Sequence, residues 1–346
     1  MRAAVIEQTE NVKKIKMKNV DRPQISNNEV LVKVESVGIC GSDLQGFFDQ
    51  DSTKRVPGLI MGHEASGEVV EIGSDVTRVK LGDRVAIDPQ VTCGYCESCK
   101  RGWYSVCDNK KIIGSNLKGF LHGAMAEFAA IDQNQLFILP NNVSYKEGAL
   151  VEPLSNAIHI FNRVKLNIGD KVVVIGAGTL GLCILQVAKL AGAEEVIVID
   201  KSDHRLGVAE KLGADVTINP SDTDVENHIN KITKNRGVDV VVEAVGIDAT
   251  YRQAISLVRK KGTIMFFGAA QDLVTLDLYP ILHKEIKMIG CTGADWEAQT
   301  AVDYIENGKI DVKPIITNEF SLDDTQEAFN LLGDPENKAI KILLNP

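Results

Sequence analysis

A short, wholly apolar strand that runs into a glycine-punctuated turn and then an apolar helix constrains this chain more than any other feature. The stretch reads Val172–Val173–Val174–Ile175–Gly176–Ala177–Gly178–Thr179–Leu180–Gly181. Glycines at that spacing are common in turns, so the spacing gains its meaning from the strand before it and the helix after it. From this point strands and helices alternate. The pattern predicts strands over 171–175, 195–199, 215–218, 238–243 and 262–267, with helices over 179–191, 203–212, 223–234 and 248–259 between them, and one more strand over 284–290. Such a rhythm builds βαβ units, and hence an α/β fold around a doubly wound parallel sheet.

Each glycine in the turn has a physical task. Gly176 permits the tight turn, Gly178 lets a backbone approach a pyrophosphate, and Gly181 lets the helix pack on the sheet. The helix start at Thr179 and Leu180 offers unpaired N–H groups and a positive dipole end to phosphates. Asp200 ends the next strand, nineteen residues after Gly181. Its carboxylate can accept from both ribose hydroxyls and would repel a 2′-phosphate, which favours NAD over NADP. Arg205 lies one helical turn further and can flank the adenine or its ribose, or, as a lone arginine on a helix, serve equally as a surface charge. The strand ends Val242–Gly246 and Phe266–Gly268 point to Val245 and Phe267 as backbone contacts for ribose and nicotinamide.

The chain of 346 residues is long enough for two domains. Residues 1–155 hold short alternating segments, with strands expected over 29–37, 67–72 and 83–87, and suggest a β-rich, partly open barrel. Helical spacing follows Pro153, and residues 156–293 carry the parallel sheet. Residues 294–346 add a helix over 297–307 and a last strand over 339–344. They are too few to fold alone and are expected to return to the first domain. The net charge of −9, with no basic run interleaved with aromatics, argues against nucleic acid or an anionic membrane as partner. No apolar run approaches the roughly 20 residues of a membrane span. The first six residues read as a strand and not as a leader, so a cytoplasmic protein is expected.

Seven cysteines are present, and four of them form Cys93-x2-Cys96-x2-Cys99-x7-Cys107. In a chain of this kind clustered cysteines point to metal before disulfides. Four thiolates close a tetrahedral zinc and leave no position for water, so this site would staple its loop and take no part in chemistry. A second, different metal site is suggested by Cys40–Gly41–Ser42–Asp43, by His63–Glu64, and by Glu152–Pro153. Taken singly, these also read as a core cysteine, a packed histidine and a helix start.

Gly62–His63–Glu64-x-x-Gly67 with Gly73, Cys40 upstream, the four-cysteine loop downstream and then the glycine turn resemble the zinc-containing medium-chain dehydrogenases over nearly the whole chain. The resemblance implies a Rossmann sheet inserted into a GroES-like catalytic domain, two zinc ions and NAD per chain, and a homodimer or homotetramer. It implies Cys40 and His63 as ligands of a catalytic zinc, with Glu64 and Glu152 competing for the remaining protein position. Ser42 matches the hydroxyl that relays the substrate proton while hydride passes to the nicotinamide. Glu152–Pro153–Leu154–Ser155 leans toward the polyol branch, where simple alcohol dehydrogenases have cysteine. Gln45 stands where many relatives have a relay histidine, Gly46–Phe47–Phe48 departs from the common polyol pattern, and Cys291–Trp296 departs from the sorbitol type. The first loop and Leu282–Ile286 look closer to sugar-alcohol-phosphate dehydrogenases such as the galactitol-1-phosphate type. The expected substrate is therefore a secondary alcohol of a polyol or its phosphate, with threonine or butanediol as alternatives. A zinc-free reductase and a non-catalytic NAD-binding sensor are the readings of other classes.

Overall fold

The computed structural model describes residues 1–9, 12–50, 52–269, 273–334 and 336–346. The chain forms two compact units, one of residues Met1–Ser155 with Ala294–Pro346 and the other of Asn156–Gly293. No helix among the described residues is long and apolar enough to cross a membrane.

In the second unit, six parallel strands lie in the order Val216–Ile218, Glu195–Ile199, Lys171–Ile175, Val238–Glu243, Val258–Phe266, Lys287–Gly290. Numbered along the chain this is 3-2-1-4-5-6, with the switch in direction at Lys171–Ile175, which carries the glycine turn. Val172, Val173 and Val174 are all fully buried, as a strand covered on both faces requires. The helix expected over 248–259 ends at Leu257, and the next strand starts at once at Val258. The strand expected over 284–290 begins only at Lys287. Lys284 instead turns back, and its Nζ donates to the carbonyls of Ile255, Ser256 and Val258, capping a helix end that would otherwise be unsatisfied.

The first unit is organised by the long strand Glu29–Gly38, which pairs antiparallel with Glu64–Ile72, Phe128–Asp132 and Lys341–Asn345. Ile316–Ser321 extends the sheet beyond Lys341–Asn345, and Arg84–Ile87 and Leu136–Ile138 extend it on the other side. Its core is Val30, Val32, Val37, Leu59, Met61, Val85, Ile87, Met125, Phe329 and Leu344, all nearly fully buried. The helix Gly41–Phe48 follows the long strand directly. Its glycines and serine hide the apolar spacing that would have announced it, and Thr325–Gly333 is likewise a helix that the sequence reading did not place.

Two motif glycines are explained by close approach. Gly62 has φ of +91°, a region that side chains disfavour. A Cβ on Gly67 would lie 2.1 Å from the Lys33 carbonyl oxygen on the paired strand. Because that neighbour is backbone, it cannot step aside. Gly67→Ala is therefore expected to destabilise the protein by about 1–3 kcal/mol or more. Chemical denaturation would show a lowered midpoint at unchanged slope; a wild-type midpoint would contradict this account of the motif.

Candidate active site and metal centres

The turn from Gly38 to Gly41 sets Cys40 at the N-cap of helix Gly41–Phe48. Glu64 opens the neighbouring strand and pairs with Gly38, so His63 and Glu64 arrive beside Cys40 through strand register alone. Ligand atoms of Cys40, His63 and Glu64 all lie within 4.8 Å of one another. Cys40 is half-buried while His63 and Glu64 are buried. Glu152, in the first turn of the helix Val151–Arg163, lies outside that group.

Charges around the trio are answered one by one. Asp43 is fully buried; its Oδ2 accepts from the Cys40 N–H at 3.3 Å, and its Oδ1 faces His63 Nδ1 at 3.4 Å. Arg55 donates to the same Oδ1 from Nε at 3.0 Å. Burial alone would raise the Asp43 carboxyl, but His63 and Arg55 outweigh it and hold the group below its ordinary range. With Nδ1 facing a carboxylate, Nε2 is the nitrogen left for a metal. His63 Nδ1 is buried and has no hydrogen-bond partner of good geometry among the described residues. A soft thiolate, an imidazole and a carboxylate make a donor set that suits zinc.

Lys341 completes the cluster and had no signal in the sequence. It is buried at the start of the C-terminal strand, donates to the Ile39 carbonyl at 2.9 Å, and is ion-paired with Glu64 Oε2. Burial would lower its pKa, yet attraction to Glu64 and Cys40 raises it above the usual lysine value, with Glu152 adding a smaller pull. A Cβ on Gly38 would lie 2.6 Å from Glu64 Oε2, so glycine there makes room for the pair. Ser42 sits on the first turn with its Oγ donating to Cys40 Sγ at 3.4 Å.

The second cluster is Cys93, Cys96, Cys99 and Cys107, whose sulfurs also lie within 4.8 Å of one another. Separations of 4.0 Å for Cys93–Cys99, 3.9 Å for Cys96–Cys107 and 3.5 Å for Cys93–Cys107 are too long for disulfides. They match the edge of about 3.8 Å that a tetrahedron with zinc–sulfur bonds of about 2.3 Å would have. Backbone N–H groups of Tyr95 and Cys96 overcome the opposing effect of burial and bring the Cys93 thiol down to about 6. Burial and the neighbouring thiols push Cys99 up to about 12. Asp295 Oδ1 accepts from the Ser105 N–H at 2.7 Å and ties the segment before Trp296 to this loop.

In the second unit Gly176 has φ of +103°, and a Cβ on Gly181 would lie 1.8 Å from its carbonyl oxygen. Gly178 caps the helix Thr179–Leu190, and nothing lies within 4 Å of where its Cβ would be, an open cradle at a helix N-terminus. Asp200 accepts from the Ala177 N–H at 2.7 Å and the Ser202 N–H at 2.9 Å, which fastens the turn to the adjacent strand end. Arg205 stands in the first turn of the helix Asp203–Lys211. Val245 is exposed at the end of its strand, and Phe267 follows Val258–Phe266. Buried Glu243 joins the two ends: its Oε1 accepts from Val245 and Gly246, and its carbonyl accepts from Phe267 and Gly268. Backbone N–H groups, a helix dipole and a carboxylate thus gather where a dinucleotide's phosphates and ribose would be held.

Comparison with known proteins agrees with this geometry. Residues 26–141 match the alcohol dehydrogenase GroES-like domain and residues 179–307 the zinc-binding dehydrogenase family. Sorbitol dehydrogenase of Bacillus subtilis is 35% identical, over 100% of this chain and 97% of its own length. L-threonine 3-dehydrogenase of Pyrococcus horikoshii is 37% identical over 90% of each chain. The structure of galactitol-1-phosphate dehydrogenase from Escherichia coli superposes with a TM-score of 0.90 at 28% identity, covering 100% of both chains. The chain belongs to the zinc-containing medium-chain dehydrogenases, in their polyol branch, and is an NAD(P)-dependent alcohol dehydrogenase.

Proposed function

We propose that this enzyme oxidises a secondary hydroxyl of a small polyol or polyol phosphate, with NAD as hydride acceptor and a zinc held by Cys40, His63 and Glu64. A second zinc, bound by Cys93, Cys96, Cys99 and Cys107, would be structural. The observation that carries the reading is the convergence of thiol, imidazole and carboxylate within 4.8 Å, in a cluster where buried Asp43 and Lys341 attend the ligands. Zinc bound there lowers the pKa of a hydroxyl, and NAD supplies the hydride acceptor.

The chain's own residues do the rest. Asp43 holds the His63 ring and the Cys40 backbone, so both donors keep their aim. Ser42, on the same helical turn, accepts the substrate proton at Oγ and passes it outward. Gln45 cannot act as acid or base near neutral pH, so the proton continues to solvent. Lys341 holds Glu64 by its Oε2, which leaves the other oxygen for a metal; Glu152 is the second carboxylate and would face a substrate rich in hydroxyls. Asp200 would accept from the adenine ribose of NAD, with the strand ends at Val245 and Phe267 meeting the remainder of the cofactor.

Relatives named for sorbitol, D-arabitol phosphate and L-threonine share a hydroxyl flanked by a second polar group. The functional test is NAD reduction across polyols, polyol phosphates, threonine and butanediol. We expect turnover of a vicinal diol or its phosphate; activity confined to simple primary alcohols would contradict the reading. Asp200→Asn should cost about tenfold or more in the preference for NAD over NADP, because a charged hydrogen bond to ribose contributes about 1.5–3 kcal/mol. Wild-type enzyme that prefers NADP in steady-state kinetics would overturn that assignment. Strong chelation should abolish activity while leaving the secondary structure seen by circular dichroism. Full activity in zinc-free protein is the opposite outcome.

A further inference from the structure

Among the described residues no hydrogen bond or ion pair joins Arg55 to the three ligand residues, yet it is 4% exposed and turns its guanidinium to the one carboxylate that faces two of them. Nε and Nη2 approach Asp43 Oδ1 at 3.0 and 2.8 Å. The same carboxylate accepts the Cys40 N–H and faces His63 Nδ1. To reach it, the stem of Arg55 crosses helix Gly41–Phe48 at Gly46. A Cβ there would lie 2.5 Å from Arg55 Cγ and 3.2 Å from its Cβ, near the root of the side chain, where it has least freedom to move. Glycine inside a helix is unfavourable relative to alanine. Here it sits at the position that the arginine crosses. Lys13 holds the same C-terminal part of the helix, its Nζ donating to the carbonyls of Gly46 and Asp49 at 3.1 and 2.5 Å.

We infer that Arg55, given passage by Gly46, is a positioning residue for the catalytic zinc: it fixes the Asp43 carboxylate that orients Cys40 and His63. The inference rests on the zinc reading proposed above. A buried carboxylate that loses its cation turns toward another partner. It then no longer stands as a fixed anion facing His63 Nδ1 and accepting the Cys40 N–H. Partners that orient a metal's ligands typically affect affinity by about 10–100-fold when removed. Lysine restores the charge but not the planar fork that places two donors on one oxygen. The sequence holds only Lys54–Arg55–Val56–Pro57, an ordinary charged turn, because the contact depends on a helix that the apolar spacing does not announce.

The test is zinc release from the full-length enzyme against a graded competing chelator, with zinc per chain measured by elemental analysis. Arg55→Met should release one zinc at a chelator concentration about 10–100-fold lower than wild type and keep the other. Arg55→Lys should recover part of the difference. Gly46→Ala changes no charge and should move release in the same direction, by displacing the arginine. The four-cysteine zinc is an internal control, so loss of both ions together would contradict a role confined to one site. Two ions released as in wild type from both Arg55→Met and Gly46→Ala would overturn this inference alone. A wild-type protein that holds only the four-thiolate zinc would overturn the zinc reading, and this inference with it.

Discussion

Asp43 and Glu64, two buried carboxylates that attend His63 and the half-buried Cys40, are the arrangement on which the chemistry proposed for the first unit depends. Leaving such charges unanswered would cost several kcal/mol each. The chain answers them with cations that come from distant parts of the sequence: Arg55 for Asp43, and Lys341 for Glu64. The sheet makes this possible, since Lys341 opens the strand that pairs with Val37 and Gly38 beside Glu64. The long strand Glu29–Gly38 is therefore both the centre of the core and the base on which the donor set is assembled.

The two candidate zinc sites differ as their donors do. Four thiols from one short loop form a closed set, with backbone N–H groups already favouring the thiolate at Cys93. Cys40, His63 and Glu64 come from two elements and supply three unlike donors, so a further position stays available to substrate or water. The second unit, in turn, gathers its polar groups at the ends of its parallel strands. The Gly176 N–H donates to the Ile199 carbonyl, and the carboxylates of Asp200 and Glu243 accept from the Ala177 and Gly246 N–H groups, which holds those ends in place. The donor set proposed for the metal and the polar groups proposed for the cofactor thus belong to separate local architectures.

What was legible in the sequence follows a physical divide. The parallel sheet was readable because a strand covered on both faces must be apolar throughout, and Lys171–Ile175, Glu195–Ile199 and Val238–Glu243 fall where the reading put them. Cys40, His63, Glu64 and Glu152 were named from the resemblance, since each alone reads as ordinary packing or a helix start; the fold brings the first three within 4.8 Å and leaves Glu152 outside that group. The helix Gly41–Phe48 was not legible, since Gly41, Ser42 and Gly46 erase its apolar period. Lys341 and Arg55 were silent for a different reason. A buried lysine or arginine has no local signature, and its meaning lies in a partner brought near by folding. For Lys341 that partner, Glu64, is 277 residues away along the chain. The strand expected from Lys284 failed in the same way, because the reading could not see three helix-end carbonyls waiting for that ammonium group.

The central claim is that Cys40, His63 and Glu64 hold a zinc distinct from the four-thiolate one. Anomalous diffraction at the zinc edge, from crystals of protein purified in active form, tests it most directly. The account predicts two peaks, one among Cys93, Cys96, Cys99 and Cys107 and one bounded by Cys40, His63 and Glu64. A single peak, in the four-cysteine loop alone, would contradict it.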